Sequence, residues 1–569
     1  MIKKYFWFII LIASVAVLYF ILNLPSGSYY CYSDKCGYYF WGSHSHDGIW
    51  HLSIVENSFK KLPFQMPTYS GEILKGYNYL YDVLLLFLSK IGIPPIISYF
   101  KLMPIFWFAI FTYLLIVLAK KLNKNNIFVW FFLFFIYMAG SFSFFFTLVK
   151  DKTIWGSSGI LAQLVQHMLL NHQFSLSLIP LVYILIKMRE KNITFKWLTA
   201  AGIAVAINMG LKFYGGIVSY ILVISYLLFV INKHSLRKSI VQILIISLFF
   251  IASVFIFYNP TAALKSRPVF IFSPFSFIHP ISEDPGLLNM QKLTYLRYVV
   301  QDTRQYWKLF LIELFNLALF LFFYFGVRFF GLIFGTIKTF TKKSTPFDRS
   351  VILTVIASIL FTTLFIQTGE WTNIVQFLYY GIFLSTVYLA ELTYFIIKKK
   401  KVIGYLIVGL LMLFSVPSTI DVFALYAKFP GSAYLPKGEY EALQVLKKLP
   451  DGIVYSPLYN QSEFHRQQIK QLKEKGGPLP LYAWEDTSYV TAFSGKQHYL
   501  ADLWMERIIG IDYKKRLEKV IGDDCSFLKE IDYIYYNNDY QISRRLFDCE
   551  NKLEFVYGNL TSRIYRVIK

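Results

Sequence analysis

"YNYLYDVLLLFLSKIGIPP", residues 77–95, decides how the chain is threaded. Its apolar heart runs only from Val83 to Leu88, with Asp82 and Lys90 on either side, and Pro94-Pro95 ends any helix. A transmembrane helix needs roughly 20 apolar residues. The stretch therefore predicts a helix lying against a membrane surface, and every later loop takes its side from that reading.

Around it the chain is very apolar. Of 569 residues, 56% are hydrophobic and 19% aromatic, and only 16% are charged. Soluble domains carry about 25% charged residues, so the composition is that of a polytopic membrane protein. Eleven spans are expected, near 5–23, 96–119, 126–148, 172–187, 197–212, 214–231, 239–258, 308–331, 350–367, 374–396 and 402–420. The first follows Lys3-Lys4, has no small-x-small cleavage site before the polar region, and is followed by ten more spans, so it is read as a retained anchor rather than a signal peptide.

Charge agrees with this count. With a cytoplasmic N-terminus, the inner loops hold 21 basic residues, among them Lys120, Lys121, Arg328 and the run Lys398–Lys401, against two acids, Glu190 and Asp348. The positive-inside rule asks for this bias, and counting 77–95 as a span would reverse it in every later loop. The net charge of +23 is thus mostly topology, and nucleic acid is not the expected partner.

Two domains follow: a helical membrane domain over 1–420, whose outer loop 24–95 carries surface helices, and an extracytoplasmic α/β domain over 421–569. "KFPGSAYLPKGEY" (428–440) is a Pro/Gly-rich boundary. "EYEALQVLKKL" (439–449) has the spacing of an amphipathic helix. "DGIVYSPL", "YVTAFSG" and "IDYIYYNN" read as strands, the last followed by a helical pattern. The four cysteines, Cys31, Cys36, Cys525 and Cys549, all fall outside, where disulfides persist. They form either the pairs 31–36 and 525–549 or four free thiols.

Ionisable groups collect just past the first span, in "SHSHDGIWHLSIVEN" (43–57). On a helix, Asp47 and His51 are four apart and share a face, while Glu56 points elsewhere. Asp47 also suits a helix N-cap. His44-x-His46 with His51 offers imidazoles of the kind that ligate zinc, at a spacing that matches no standard motif.

From "HDGIWHLSIVENSFKKLPF" through the surface helix to the span ending at Lys120-Lys121, the order of elements resembles the GT-C superfamily of membrane glycosyltransferases. These include oligosaccharyltransferase catalytic subunits, protein O-mannosyltransferases and aminoarabinose transferases. The loop also resembles bacterial membrane proteins that carry a pterin-synthase-related label, although nothing in it suggests pterin chemistry. The resemblance covers about the first 230 residues. The chain lacks a clear Asp-x-Asp and a Trp-Trp-Asp motif.

The resemblance implies transfer of a sugar from a polyprenyl-phosphate donor to an extracytoplasmic glycan, lipid or protein acceptor. Asp47 would be the catalytic base. Asp151 in "LVKDKTIWGSS" would be a second catalytic acid or a ligand of a divalent metal, with His44, His46 and His51 as the other metal candidates. A phosphate leaving group needs cations. Lys212 in "NMGLKFYGG" is the first candidate, with snorkelling to the interface as its plain alternative. Arg267, Arg297 and Arg304 in the third outer loop follow. His51 and Glu370 ("QTGEWTN") are further substrate-binding candidates. The competing functions are a transporter or flippase of lipid-linked glycans and a non-catalytic envelope scaffold. A transporter would favour ionisable groups near the bilayer midplane, whereas most here lie in outer loops.

Overall fold

The computed structural model describes residues 2–23, 25–156, 160, 163–190, 192–230, 236–263, 268–427, 429–458, 463–484, 486–522, 525–538 and 553–569. Contacts divide the chain into two compact units. The first comprises Met1–Tyr19, Phe106–Phe257 and Pro268–Leu425, and the second Phe20–Ile105, Tyr258–Arg267 and Tyr426–Lys569.

The first unit is helical. Among the described residues, seven helices are long and apolar enough to cross a membrane: Pro95–Leu122, Phe213–Val230, Arg237–Tyr258, Tyr306–Phe325, Pro346–Leu364, Trp371–Lys400 and Val402–Tyr426. An eighth crossing arises if the pair Leu164–Leu170 and His172–Lys187, bent by 111°, counts as one span. Phe8–Phe20, Asn126–Met138 and Phe195–Leu211 are apolar but shorter. Each expected span falls on one of these elements, and the first lies within the 22-residue helix Ile2–Asn23.

Two expected spans are broken. The helix Asn126–Met138 stops well short of 148, and a new helix, Phe144–Asp151, follows. At the break the backbone docks on other segments. A Cβ on Gly140 would collide with Ser418 Oγ, the Gly140 N–H donates to Ser415 O at 2.8 Å, and the Phe142 N–H donates to Phe323 O at 2.9 Å. Buried Arg328 donates to Ala139 O at 2.5 Å and Phe135 O at 2.7 Å, satisfying carbonyls that a helix end leaves open. The span expected over 308–331 ends at Phe325, before Gly326, and the helix Arg328–Thr339 begins afresh. The last two spans lie in one continuously helical stretch, Gln376–Ser415. A Cβ on Gly404 would sit 2.7 Å from Ile396 O. Residues eight apart in a straight helix are about 12 Å apart, so the chain doubles back at the run Lys398–Lys401.

The second unit combines the loop after the first helix with the tail. Strands Ser28–Tyr32 and Lys35–Phe40 form an antiparallel hairpin, joined by the Cys31–Cys36 disulfide. Ala433–Pro436 continues this sheet antiparallel to Lys35–Phe40, and Leu479–Pro480 adds a parallel edge. A second sheet runs in the order Leu553–Gly558, Ser562–Val567, Tyr533–Asn537, Ile453–Tyr455, Gln497–His498. Cys525 is also disulfide-bonded, and Cys549 lies outside the described residues.

The helix Lys437–Lys448 and the strands in "DGIVYSPL" and "IDYIYYNN" form where their patterns placed them. The helical pattern after the last strand lies outside the described residues. "YVTAFSG" does not form a strand: Tyr489–Ser494 is a helix, closed by Gly495 in the left-handed region. All six residues are buried, and full burial erases the alternation that separates strand from helix. Asn57 and Lys60 donate to the Gly495 carbonyl and so satisfy that helix end.

The surface segment is helical over Leu80–Lys90, which at eleven residues is too short to cross a bilayer.

Candidate functional site

The helix Asp47–Asn57 carries the centre of the site. Its acidic first residue suits the positive end of a helix. Nearly all of its other side chains are buried, and Trp50 and Ile54 pack with Met66, Leu74, Met505 and Ile509. Asp47 is the exception, with its side chain 34% exposed. The N-cap position belongs to His46, and no side chain caps the helix there.

Each histidine beside Asp47 is braced by a buried carboxylate. His51 Nδ1 lies 2.7 Å from Asp82 Oδ1, and Asp82 is 0% exposed. Burial pushes the Asp82 carboxyl above its ordinary range, and His51 pulls it partly back. The His51 ring stacks on Tyr99 at 5.7 Å and meets the Tyr81 ring edge-on at 5.8 Å. His46 presents Nδ1 to Asp47 Oδ1 at 3.4 Å and Nε2 to Asp502 Oδ1 at 3.2 Å. Burial alone would lower the His46 pKa, but Asp502 and then Asp47 outweigh it and hold the ring well above its usual value. Tyr77 and Tyr99 lie within electrostatic reach of Asp47 and Asp82.

Asp47 and His51 thus share one face, as their spacing required. Glu56, on the far side of the helix, is held by Lys447 at 2.7 Å and has a tethering role. Among the described residues the histidine candidates do not converge. His44 Nδ1 contacts Ser26 Oγ at 2.8 Å, His46 and His51 take separate carboxylates, and Asp151 is exposed at the end of its own helix. Among the described residues no group of three or more His, Cys, Asp or Glu is placed to hold a metal ion.

In the first unit, Lys212 sits at the turn between the helices Phe195–Leu211 and Phe213–Val230 and is buried, 7% exposed, rather than snorkelling to water. Its N–H donates to Asn208 O, and its carbonyl accepts from Gly216 N–H, so the turn is held on both sides. Tyr214, two residues on, hydrogen-bonds Gln367 in the short ribbon formed by Phe270–Phe272 and Phe365–Gln367. The other candidates have local work. Arg297 donates to Glu283 at 2.5 Å and covers the Tyr298 ring. Glu370 accepts from the Thr372 hydroxyl at 2.6 Å and caps a short helical turn. Arg304 is exposed, and Arg267 lies outside the described residues.

Sequence reasoning missed the tail's share. Asp502, Asp486, Trp504 and Glu506 all lie close to His46 or Asp502. Trp504 meets the His46 ring at 4.8 Å, and Glu506 accepts from the Thr68 hydroxyl at 2.5 Å. Burial pushes the Glu506 carboxyl well up, and burial followed by Asp502 pushes Asp486 up to about 6. The only signal was "YLADLWMERI" (499–508), which reads as an ordinary helix start.

No family model matches the chain, and no curated protein matches it. Solved structures do. The oligosaccharyltransferase AglB from Archaeoglobus fulgidus, solved with an inhibitory peptide and a dolichol-phosphate, aligns at 12% identity over 94% of this chain and 70% of its own, with a TM-score of 0.46. The mycobacterial arabinofuranosyltransferase AftD aligns at 11% identity over 99% of this chain and 40% of its own, with a TM-score of 0.49. ArnT from Cupriavidus metallidurans, bound to undecaprenyl phosphate, aligns at 9% identity over 99% and 98%, with a TM-score of 0.41. At 9–12% identity these likenesses are of fold alone.

Proposed function

We propose that this protein is a membrane glycosyltransferase that moves a sugar from a polyprenyl-phosphate donor to an acceptor hydroxyl on the extracytoplasmic side. The observation that carries the reading is Asp47: a part-exposed carboxylate at a helix start, with His46 against it at 3.4 Å and the Asp82-paired His51 one turn on. In the reaction the acceptor oxygen bonds to the anomeric carbon as the bond from that carbon to the phosphate oxygen breaks. The acceptor proton passes to Asp47, and the lipid phosphate leaves as an anion. A positioned base contributes about 100- to 10,000-fold to such a step.

Within the helical unit, Lys212 is the residue proposed to meet a lipid phosphate, from its place at the turn between two helices. Asp151 and the histidines are not combined into a metal site. The C-terminal residues are placed outside the cell membrane together with the loop that carries Asp47. The reading is tested by mass analysis of envelope glycans from cells with and without the protein. Loss of one glycan linkage supports transfer. An unchanged glycan profile, with lipid-linked sugars distributed differently across the membrane, returns the protein to transport.

A further inference from the structure

The helix Leu503–Ile509 starts at Asp502, which holds φ +53° and ψ +57° in the left-handed region. Such a conformation costs energy for any residue with a side chain, and residues held there by their surroundings cluster at functional sites. Asp486 holds this one: its two carboxylate oxygens accept from the N–H groups of Asp502 at 3.0 Å and Leu503 at 2.9 Å. Asp502 Oδ1 accepts from Met505 N–H at 3.3 Å and faces His46 Nε2. Across the ring, His46 Nδ1 faces Asp47. An ionised carboxylate only accepts hydrogen bonds, so a ring with a carboxylate against each nitrogen carries a proton on both.

We propose that Asp502 is a positioning residue for Asp47: it holds His46 as an imidazolium whose second N–H fixes the orientation of the Asp47 carboxylate. What Asp47 then does rests on the function proposed above. The acidic groups around the ring come from two segments. Asp47 lies on its own helix, and Asp486, Asp502 and Glu506 lie in or beside the segment entering Leu503–Ile509. Asp47 and Asp502 are the two carboxylates in direct contact with the ring, whereas Asp486 is turned to the N–H groups of Asp502 and Leu503 and Glu506 to the Thr68 hydroxyl.

Asparagine separates positioning from a purely structural role. It tolerates the left-handed region and caps helices about as well as aspartate, yet carries no charge. The full chain, labelled with 15N-histidine and held in lipid nanodiscs, is compared with D502N at pH 7.5, with H46Q identifying the His46 signals. Both His46 ring nitrogens are expected to be protonated in the wild type. In D502N one is expected to lose its proton while the thermal midpoint stays unchanged. A doubly protonated ring in folded D502N makes Asp502 a cap and overturns the inference. So does a neutral ring in the wild type, which decides the matter even if D502N fails to fold. Sugar transfer is not read, so failure of the proposed reaction leaves this result standing.

Discussion

Replacing His498 by asparagine should remove much of the acid sensitivity of the unit that carries Asp47. His498 is buried at the edge of the five-stranded sheet, where its Nδ1 accepts from Leu500 N–H at 3.2 Å. Burial pushes its pKa down to about 3, from an ordinary 6.5. The folded chain therefore keeps the ring neutral, and on acidification the unfolded chain takes the proton first. The stabilisation is whole above pH 6.5 and is lost as the pH falls toward 3. At pH 4.5 the loss is about 2.7 kcal/mol, from two pH units at roughly 1.36 kcal/mol each. A domain of this size shifts by about 2–4 °C per kcal/mol, so the thermal midpoint should fall by roughly 5–10 °C from this group alone. Asparagine can place an amide oxygen where Nδ1 accepts, and it does not titrate. Asp486 and Glu506, whose carboxyls are raised, act in the opposite direction: the unfolded chain sheds their protons first, so their cost grows as pH rises above the ordinary carboxylate range. They are common to both chains and cancel in the comparison. The assay is tryptophan fluorescence of the full chain during heating at pH 7.5 and pH 4.5. An equal drop in wild type and H498N would refute the reasoning.

Three other outcomes follow from the same geometry. Arg328→Met leaves the Phe135 and Ala139 carbonyls without their donor and should cost at least about 2 kcal/mol, read as a lower thermal midpoint. An unchanged midpoint would mean that another group satisfies that helix end. Lys212→Met should weaken binding of a fluorescent polyprenyl phosphate to the purified protein without lowering its midpoint, whereas equal binding would remove Lys212 from the phosphate site. In intact cells a cysteine at 437 should react with an impermeant maleimide and one at 399 should not. Labelling of 399 alone would reverse the orientation that the basic loops imply.

The long apolar helices were legible because hydropathy over some twenty residues needs no tertiary context. The short helix within residues 77–95 was legible for the same reason: six apolar residues between Asp82 and Lys90 are too few for a span. The breaks at Gly140 and Gly326 were not, since they depend on backbone docking against Ser415, Ser418 and Phe323. Tyr489–Ser494 misled because β-branched and aromatic residues suggest a strand, and only packing on every side makes the helix. At the site, the shared face of Asp47 and His51 followed from spacing. The pairing of His51 with Asp82 lies 31 positions apart and that of His46 with Asp502 lies 456 apart, and no local pattern encodes either. The histidines suggested zinc by number, but three separate partners, Ser26, Asp502 and Asp82, draw them apart.

The most direct test of the central claim is the rate of sugar transfer by purified Asp47→Asn protein, using polyprenyl-phosphate-linked sugars extracted from the source membranes. Asparagine keeps the shape and polarity of the side chain at the helix start and cannot take a proton. The account predicts a fall of about 100- to 10,000-fold in turnover, with the thermal midpoint and donor binding preserved. Transfer by Asp47→Asn at a rate near that of the wild type would contradict it.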